Sequence, residues 1–172
     1  MGKSRVSKNL RRTTSLVKRA FFDIIGERIQ GSRFLDLYAG EGGVGMEALK
    51  RGASFALFVE SSKRHGELIL KRLRDSSLSE KGRVTMERVE DFLSTYRHAE
   101  TFDIVFADPP YESLEYEVLE RSLPEFTGIS DDTIICIEHF HKKILPEEIG
   151  SLVLLKRYRY GDTILSFYRR KQ

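Results

Sequence analysis

The sequence predicts an α/β fold: a mostly parallel, doubly wound sheet closed by a C-terminal antiparallel hairpin. Three observations carry this expectation. Short apolar runs alternate with stretches of helical periodicity along most of the chain, the pattern of a parallel sheet covered on both faces. A glycine-rich segment, Gly40 to Gly45, directly follows the first apolar run. The alternation then breaks at the end, where two β-rich runs flank Gly161-Asp162, a hairpin signature.

The elements follow in order. Thr13 or Thr14 caps a helix to about Gln30, because Leu16, Val17, Ala20, Phe21, Ile24, Ile25 and Ile29 recur at helical spacing. Gly31 stops it. Arg33 to Tyr38 is the first strand and Val44 to Arg51 a helix. Phe55 to Glu60 is the second strand, and Ser62 to Asp75 a long polar helix. A loop over Ser76 to Gly82 leads to a third strand, Arg83 to Arg88, and a short helix, Glu90 to Tyr96. Phe102 to Ala107 is the fourth strand, Leu114 to Leu123 a helix and Thr133 to His139 the fifth strand. Leu152 to Tyr158 and Thr163 to Tyr168 form the hairpin at the sheet edge.

The 172 residues, 40% hydrophobic and 32% charged, fit one globular domain over 1–172, with residues 1–30 a basic arm and helix. No apolar run approaches a membrane span, and MGKSRVSKNLRRTT does not read as a secretory leader. The single Cys136 lies in an apolar run and reads as a buried thiol. A reducing cytoplasmic location is therefore expected, and nothing suggests more than a monomer. The net charge is +3, but residues 1–20 carry Lys3, Arg5, Lys8, Arg11, Arg12, Lys18 and Arg19 and no acid. Such a block is either a nucleic-acid-binding arm or a solvated terminus.

Gly40, Gly42 and Gly45 allow a tight turn and close approach of a ligand to the backbone. They also satisfy GxGxxG, and Glu60 follows at the roughly 20-residue spacing of a ribose-binding acid. A nicotinamide-dependent oxidoreductase therefore stays open. Against it, Asp36 precedes the glycines where a methyltransferase places a carboxylate near the amino-acid part of its cofactor, and the chain has no room for a separate substrate domain.

The fourth strand runs into Asp108-Pro109-Pro110-Tyr111, at the end of an α/β sheet where ligands bind. An exocyclic base amine is a poor nucleophile, because its lone pair is delocalised into the ring. Two acceptors, the Asp108 carboxylate and the Pro109 carbonyl, can hold its hydrogens and favour a pyramidal nitrogen. Pro109-Pro110 stiffens the loop, which serves positioning, and Tyr111 can stack on a base turned out of its helix. Methyl transfer from a sulfonium to nitrogen needs no metal. A stiff turn with Tyr111 in the core is the structural alternative.

Taken together, these motifs resemble the RsmD-type methyltransferases, which modify a guanine exocyclic amine in 16S ribosomal RNA. The resemblance covers nearly the whole chain. It runs through Arg11-Arg12-Thr13-Thr14 with Val17-Lys18 and Phe22, Phe34 to Gly40, Gly45, Glu47-Ala48-Leu49, Arg51-Gly52-Ala53, and Phe102 to Tyr111. It implies a Rossmann-like class I fold and S-adenosylmethionine as cofactor, with 16S ribosomal RNA or the small ribosomal subunit as partner. The cofactor set it implies is Asp36, Tyr38, Gly40, Gly42, Gly45, Glu60, Ser61 and Val89. The catalytic set is Asp108, Pro109, Pro110 and Tyr111, and the RNA set is Arg5, Lys8, Arg11, Arg12, Thr13 and Lys18. Two departures stand out. Arg12 replaces the usual proline, and Arg88-Val89 replaces an acid or amide followed by alanine, so that only the Val89 backbone is left for the adenine.

Other readings stay open. A DNA adenine methyltransferase would use the same tetrapeptide with an added recognition segment, and a cofactor- and RNA-binding module without activity would share the loops. Glu138, His139 and His141 hint at a metal, but the histidines read as surface or loop residues with no third ligand evident. Glu47 reads as solvent-facing or in a structural bond. Arg157, Arg159, Arg169, Arg170 and Lys171 give the hairpin a basic edge that guards against aggregation or touches RNA.

Overall fold

The computed structural model describes residues 15–110 and 114–171. Arg5, Lys8, Arg11, Arg12, Thr13 and Tyr111 lie outside the described residues, as does the expected cap at Thr13 or Thr14.

One eight-stranded sheet organises the chain. Its strands are β1 (Arg33–Leu37), β2 (Phe55–Val59), β3 (Gly82–Thr85), β4 (Phe102–Ala107), β5 (Ile129–Phe140), β6 (Glu148–Ile149), β7 (Leu152–Tyr160) and β8 (Thr163–Arg170). They lie in the order β3-β2-β1-β4-β5-β8-β7-β6. The strands β3, β2, β1, β4 and β5 pair in parallel, and β8 and β7 close the sheet antiparallel, as the sequence pattern required. The chain leaves β1 for β2 on one side and reaches β4 on the other, so the sheet order reverses at β1. This is the crevice where open α/β sheets bind ligands.

The helices are α1 (15–25), α2 (Gly43–Lys50), α3 (Lys63–Asp75), α4 (Val89–Thr95) and α5 (Glu115–Ser122). They cover two faces. On one, α1, α2 and α3 pack Val17, Phe21, Phe22, Met46, Leu49, Ile69 and Leu73 on Phe34, Phe58, Phe106 and Cys136. On the other, α4 and α5 pack Phe92, Tyr96, Tyr116 and Leu119 on Leu35, Leu37, Val105 and Ile137. Phe21 is fully buried, with its ring 4.8 Å from that of Phe106 and 4.9 Å from that of Phe22. α1 is thus core, not appendage.

Several boundaries differ from the expected ones. The first helix breaks at Gly26, whose φ is +57°, and continues as a 3-10 turn over Gly26–Ile29. Tyr38 is not strand: its φ is +58°, so the turn begins one residue earlier. The third strand starts at Gly82 and stops at Thr85, because Met86 to Arg88 already lead into α4. β5 begins at Ile129, with a register shift between Phe102 and Ile104 of β4. The hairpin is not the outermost element along its whole length: β6 pairs with Leu152 and Val153. Its two residues were too short to show a period.

Candidate active site

The loop after β1 turns because three of its residues take left-handed backbone: Tyr38, Gly40 at φ +55° and Gly42 at φ +78°. Tyr38 does so despite its side chain, and its hydroxyl donates to Glu115 Oε2 of α5 at 3.0 Å. That bond ties the end of β1 to the opposite helical layer. Asp36 is buried, and its Oδ2 accepts the Gly45 amide at 2.8 Å. Burial pushes the Asp36 carboxyl up to about 8; the Gly45 bond opposes this, and the Asp108 and Glu60 charges add to it. A Cβ on Gly45 would collide with the Phe58 ring and lie 3.0 Å from Asp36 Oδ2. Gly45 is therefore required by packing between α2 and β2.

Glu60 follows β2 and is nearly buried. Its Oε2 accepts the Gly40 amide at 2.7 Å and its Oε1 the Ser62 amide at 2.8 Å. One bond per oxygen leaves acceptor capacity on both. Ser62 caps α3, and Ser61 is exposed on the turn between them. Val89 is buried as the first residue of α4. Arg88, half of the unusual pair, sits among acids: its Nη2 is 3.7 Å from Glu90 and 3.9 Å from Glu115.

Asp108 continues the β4–β1 ladder, its amide donating to Leu37 O at 3.4 Å. Pro109 is buried, Pro110 exposed, and solvent reaches Asp108. Desolvation by the surrounding protein raises its carboxyl to about 6. The carboxylates of Asp36, Glu60 and Asp108 therefore meet at the carboxyl ends of β1, β2 and β4, with the glycine loop between. The structure also adds two acids that the motifs did not nominate. Glu115 partners Tyr38. Glu138, half-buried at the end of β5, interacts with Asp108 and is raised to about 8 by burial and then by the Asp108 charge. The sequence held a signal for Glu138, a carboxylate inside the apolar fifth strand, but without the register it was weighed only as a metal ligand.

Other residues fall elsewhere. His139 is buried rather than a surface or loop residue: Nε2 lies 2.7 Å from Ser166 Oγ, and burial lowers its pKa. His141 lies 3.4 Å from Asp162. Glu47 makes the structural bond, accepting Arg51 Nε at 2.7 Å. Cys136 is fully buried. Lys18 is half-buried on α1. The basic edge of the hairpin is engaged internally: Arg157, Arg159 and Arg170 donate to the carbonyls of Leu145, Gly161 and Phe126, and Lys171 pairs with Glu148. A cavity of about 340 Å³ opens beside Arg28, Ser32, Asp103 and Asp132, at the starts of β1, β4 and β5. That is the opposite end of the sheet from the carboxylates, and we do not take it as the site. Among the described residues no helix is long and apolar enough to cross a membrane.

Comparison with known proteins adds three kinds of match. Residues 3–169 match the model of a family described as conserved hypothetical protein 95. The chain is 33% identical over 94% of its length to a Bacillus subtilis protein named "Putative rRNA methyltransferase YlbH", covering 88% of that protein. It is 32% identical over 95% of its length to "Ribosomal RNA small subunit methyltransferase D" of Haemophilus influenzae, covering 84% of it. Among solved structures it resembles "Putative methyltransferase yhhF from Escherichia coli" at a TM-score of 0.82 and 25% identity, covering 91% of this chain and 86% of that one.

Proposed function

The chain belongs to the conserved hypothetical protein 95 family, and on that premise we propose that it transfers a methyl group from S-adenosylmethionine to the exocyclic amine of a guanine in 16S ribosomal RNA. The RsmD-type resemblance read from its motifs is borne out by these relatives, and the chain is an RNA methyltransferase. The observation that carries the finer reading is the convergence of Asp36, Glu60 and Asp108 on one rim of the sheet around the glycine loop.

The residues present fit the cofactor. Glu60 keeps an open lone pair on each oxygen after its two backbone bonds, which suits two ribose hydroxyls. Nothing lies within 4 Å of where a Gly40 Cβ would stand, so that backbone is open to a ligand. Asp36 would serve the amino-acid end, Tyr38, Gly42, Gly45 and Ser61 would shape the loops around the ligand, and the Val89 backbone would meet the adenine. When bound, S-adenosylmethionine supplies an electrophilic methyl on its sulfonium.

Asp108 and the Pro109 carbonyl then accept the two amine hydrogens and orient the nitrogen lone pair. With the methyl donor bound, its thioether would be the leaving group as the methyl passes to nitrogen, and Asp108 would take one amine proton and release it to solvent. Pro110 stiffens the turn and Tyr111 stacks on the base. Arg5, Lys8, Arg11, Arg12, Thr13 and Lys18 hold the RNA backbone. The whole chain acts as one monomeric domain. The test is incubation of the purified protein with methyl-labelled cofactor and small ribosomal subunits or 16S RNA, followed by nucleoside chromatography. Label in N2-methylguanosine supports the reading; label in N6-methyladenosine, or binding of NAD with none of the methyl donor, sinks it.

A further inference from the structure

β5 brings one more carboxylate to the catalytic rim. Ala107 of β4 pairs with Ile137 of β5, so the residues that follow, Asp108 just past the end of β4 and Glu138 still within β5, stand side by side at a strand spacing of about 4.8 Å. The pleat places them on one face. Phe106 and Cys136, two residues before each, belong to the α1 side of the sheet, and Ala107 and Ile137 to the other. Opposite Glu138 on β8 stands Leu165, fully buried and without charge. Among the described residues no hydrogen-bond donor reaches the side chain of either Asp108 or Glu138. Asp108 is open to solvent and Glu138 half-buried, so their oxygens face water and not protein donors, and crowding the two charges raises the Glu138 carboxyl. A ligand that displaces this water and brings donors to both oxygens is the natural complement of the pair.

Resting on the reading of the site given above, we propose that Glu138 is a specificity-determining residue for the target base, accepting the guanine N1–H while Asp108 and the Pro109 carbonyl hold the adjacent N2 amine. The Watson–Crick edge of guanine presents N1–H and N2–H2 as neighbouring donors, and adjacent acceptors on β4 and β5 are their complement. Adenine presents its amine next to N1, a bare acceptor, which would face a carboxylate oxygen without a proton between them. A site built around a buried hydrogen bond rejects a ligand that lacks the matching group more strongly than a shape-selective pocket does. Reading a flipped base along this edge is also how enzymes that act on bases select them.

The experiment compares guanine with 2-aminopurine, which keeps the C2 amine but has no hydrogen on N1. The modified position is first mapped by mass spectrometry. 16S RNA is then ligated with either base at that position, used free or reconstituted into subunits, and methylated with labelled S-adenosylmethionine. Assays run at pH 8.5, above the value of about 8 to which burial and the Asp108 charge bring Glu138 in the free protein, so that the pair is ionised. The wild type prefers guanine by on the order of tenfold or more. Glu138→Gln offers either an oxygen or an N–H2 to N1, so its guanine to 2-aminopurine ratio collapses towards one while cofactor affinity by calorimetry stays unchanged. Glu138→Asp keeps a carboxylate, and with it the preference, at a lower rate. A Glu138→Gln protein slowed equally on both bases, or a wild type indifferent to the base, overturns the role of Glu138 alone. A wild type that labels no guanine overturns the functional reading beneath it, and this inference with it.

Discussion

Glu60 holds the glycine loop in place: its Oε2 accepts the Gly40 amide at 2.7 Å, across from the end of β2 to the turn after β1. The other oxygen accepts the Ser62 amide. The residue nominated for the ribose is therefore also a structural clasp, made before any ligand arrives.

Glu60→Ala should then do two things. Cofactor affinity falls, because hydrogen bonds to a charged acceptor vanish, each worth roughly 1.5–3 kcal/mol before solvent compensation. Stability of the free protein falls as well, by about 1–3 kcal/mol, because the Gly40 and Ser62 amides lose their partner. Calorimetry measures the first and denaturant unfolding the second. Full stability with lost affinity would mean the clasp contributes nothing.

Asp36 links cofactor, pH and stability. Its folded carboxyl keeps a proton up to about 8, while the unfolded chain releases it near 3.8. Between these values the folded state binds more protons, so its stability declines as pH rises. Asp36→Asn should flatten that decline. A cationic amino-acid group brought to Asp36 favours the ionised form, so cofactor binding at pH 7 should release up to one proton. Titration calorimetry in buffers of different ionisation enthalpy reads this directly, and proton release unaltered in Asp36→Asn would place the linkage elsewhere.

Asp108→Ala should abolish methyl transfer and leave cofactor affinity within a few-fold. The wild-type rate should climb as pH rises through about 6, since Asp108 must be ionised to accept the amine hydrogens. Because Asp108 and Glu138 interact, the apparent value belongs to the pair, and Glu138→Gln should shift the profile towards lower pH. Tyr111→Ala should lose about 1–3 kcal/mol of stacking while Tyr111→Phe is tolerated. Near-normal turnover in Asp108→Ala would reduce the tetrapeptide to a turn.

Neutralising Arg5, Lys8, Arg11 and Arg12 should weaken RNA binding and flatten its salt dependence, by up to about 0.7 in log–log slope per lost contact to single-stranded RNA. Cofactor affinity should not change. By contrast, Phe21→Ala on α1 should cost about 3–5 kcal/mol of stability, because its ring is fully buried against Phe106 and Phe22. Filter binding across a salt series, with unfolding curves beside it, separates arm from helix. An unchanged slope would mean the charges are only solvated.

The parallel sheet with its closing hairpin, and the residues of the rim, were legible because they rest on patterns that survive in one dimension. The Asp36 loop, Glu60 and Asp108 each sit where an apolar run ends, and the runs have strand length. The adjacency of Asp108 to Glu138 was not legible, since it depends on the register between β4 and β5, and a bulge between Phe102 and Ile104 shifts that register. The burial of His139 was hidden too: its partner Ser166 belongs to β8, far along the chain. Nor could Gly26 be recognised as a helix breaker, because the apolar period continues through Ile29.

Transfer of a methyl group to a guanine amine of 16S RNA is tested most directly by mass spectrometry of that RNA from a strain lacking the gene. Complementation with the wild type and with Asp108→Ala completes the experiment. One N2-methylguanosine should disappear on deletion, return with the wild type, and stay absent with Asp108→Ala. An unchanged set of 16S modifications on deletion, or restoration by Asp108→Ala, would contradict the account.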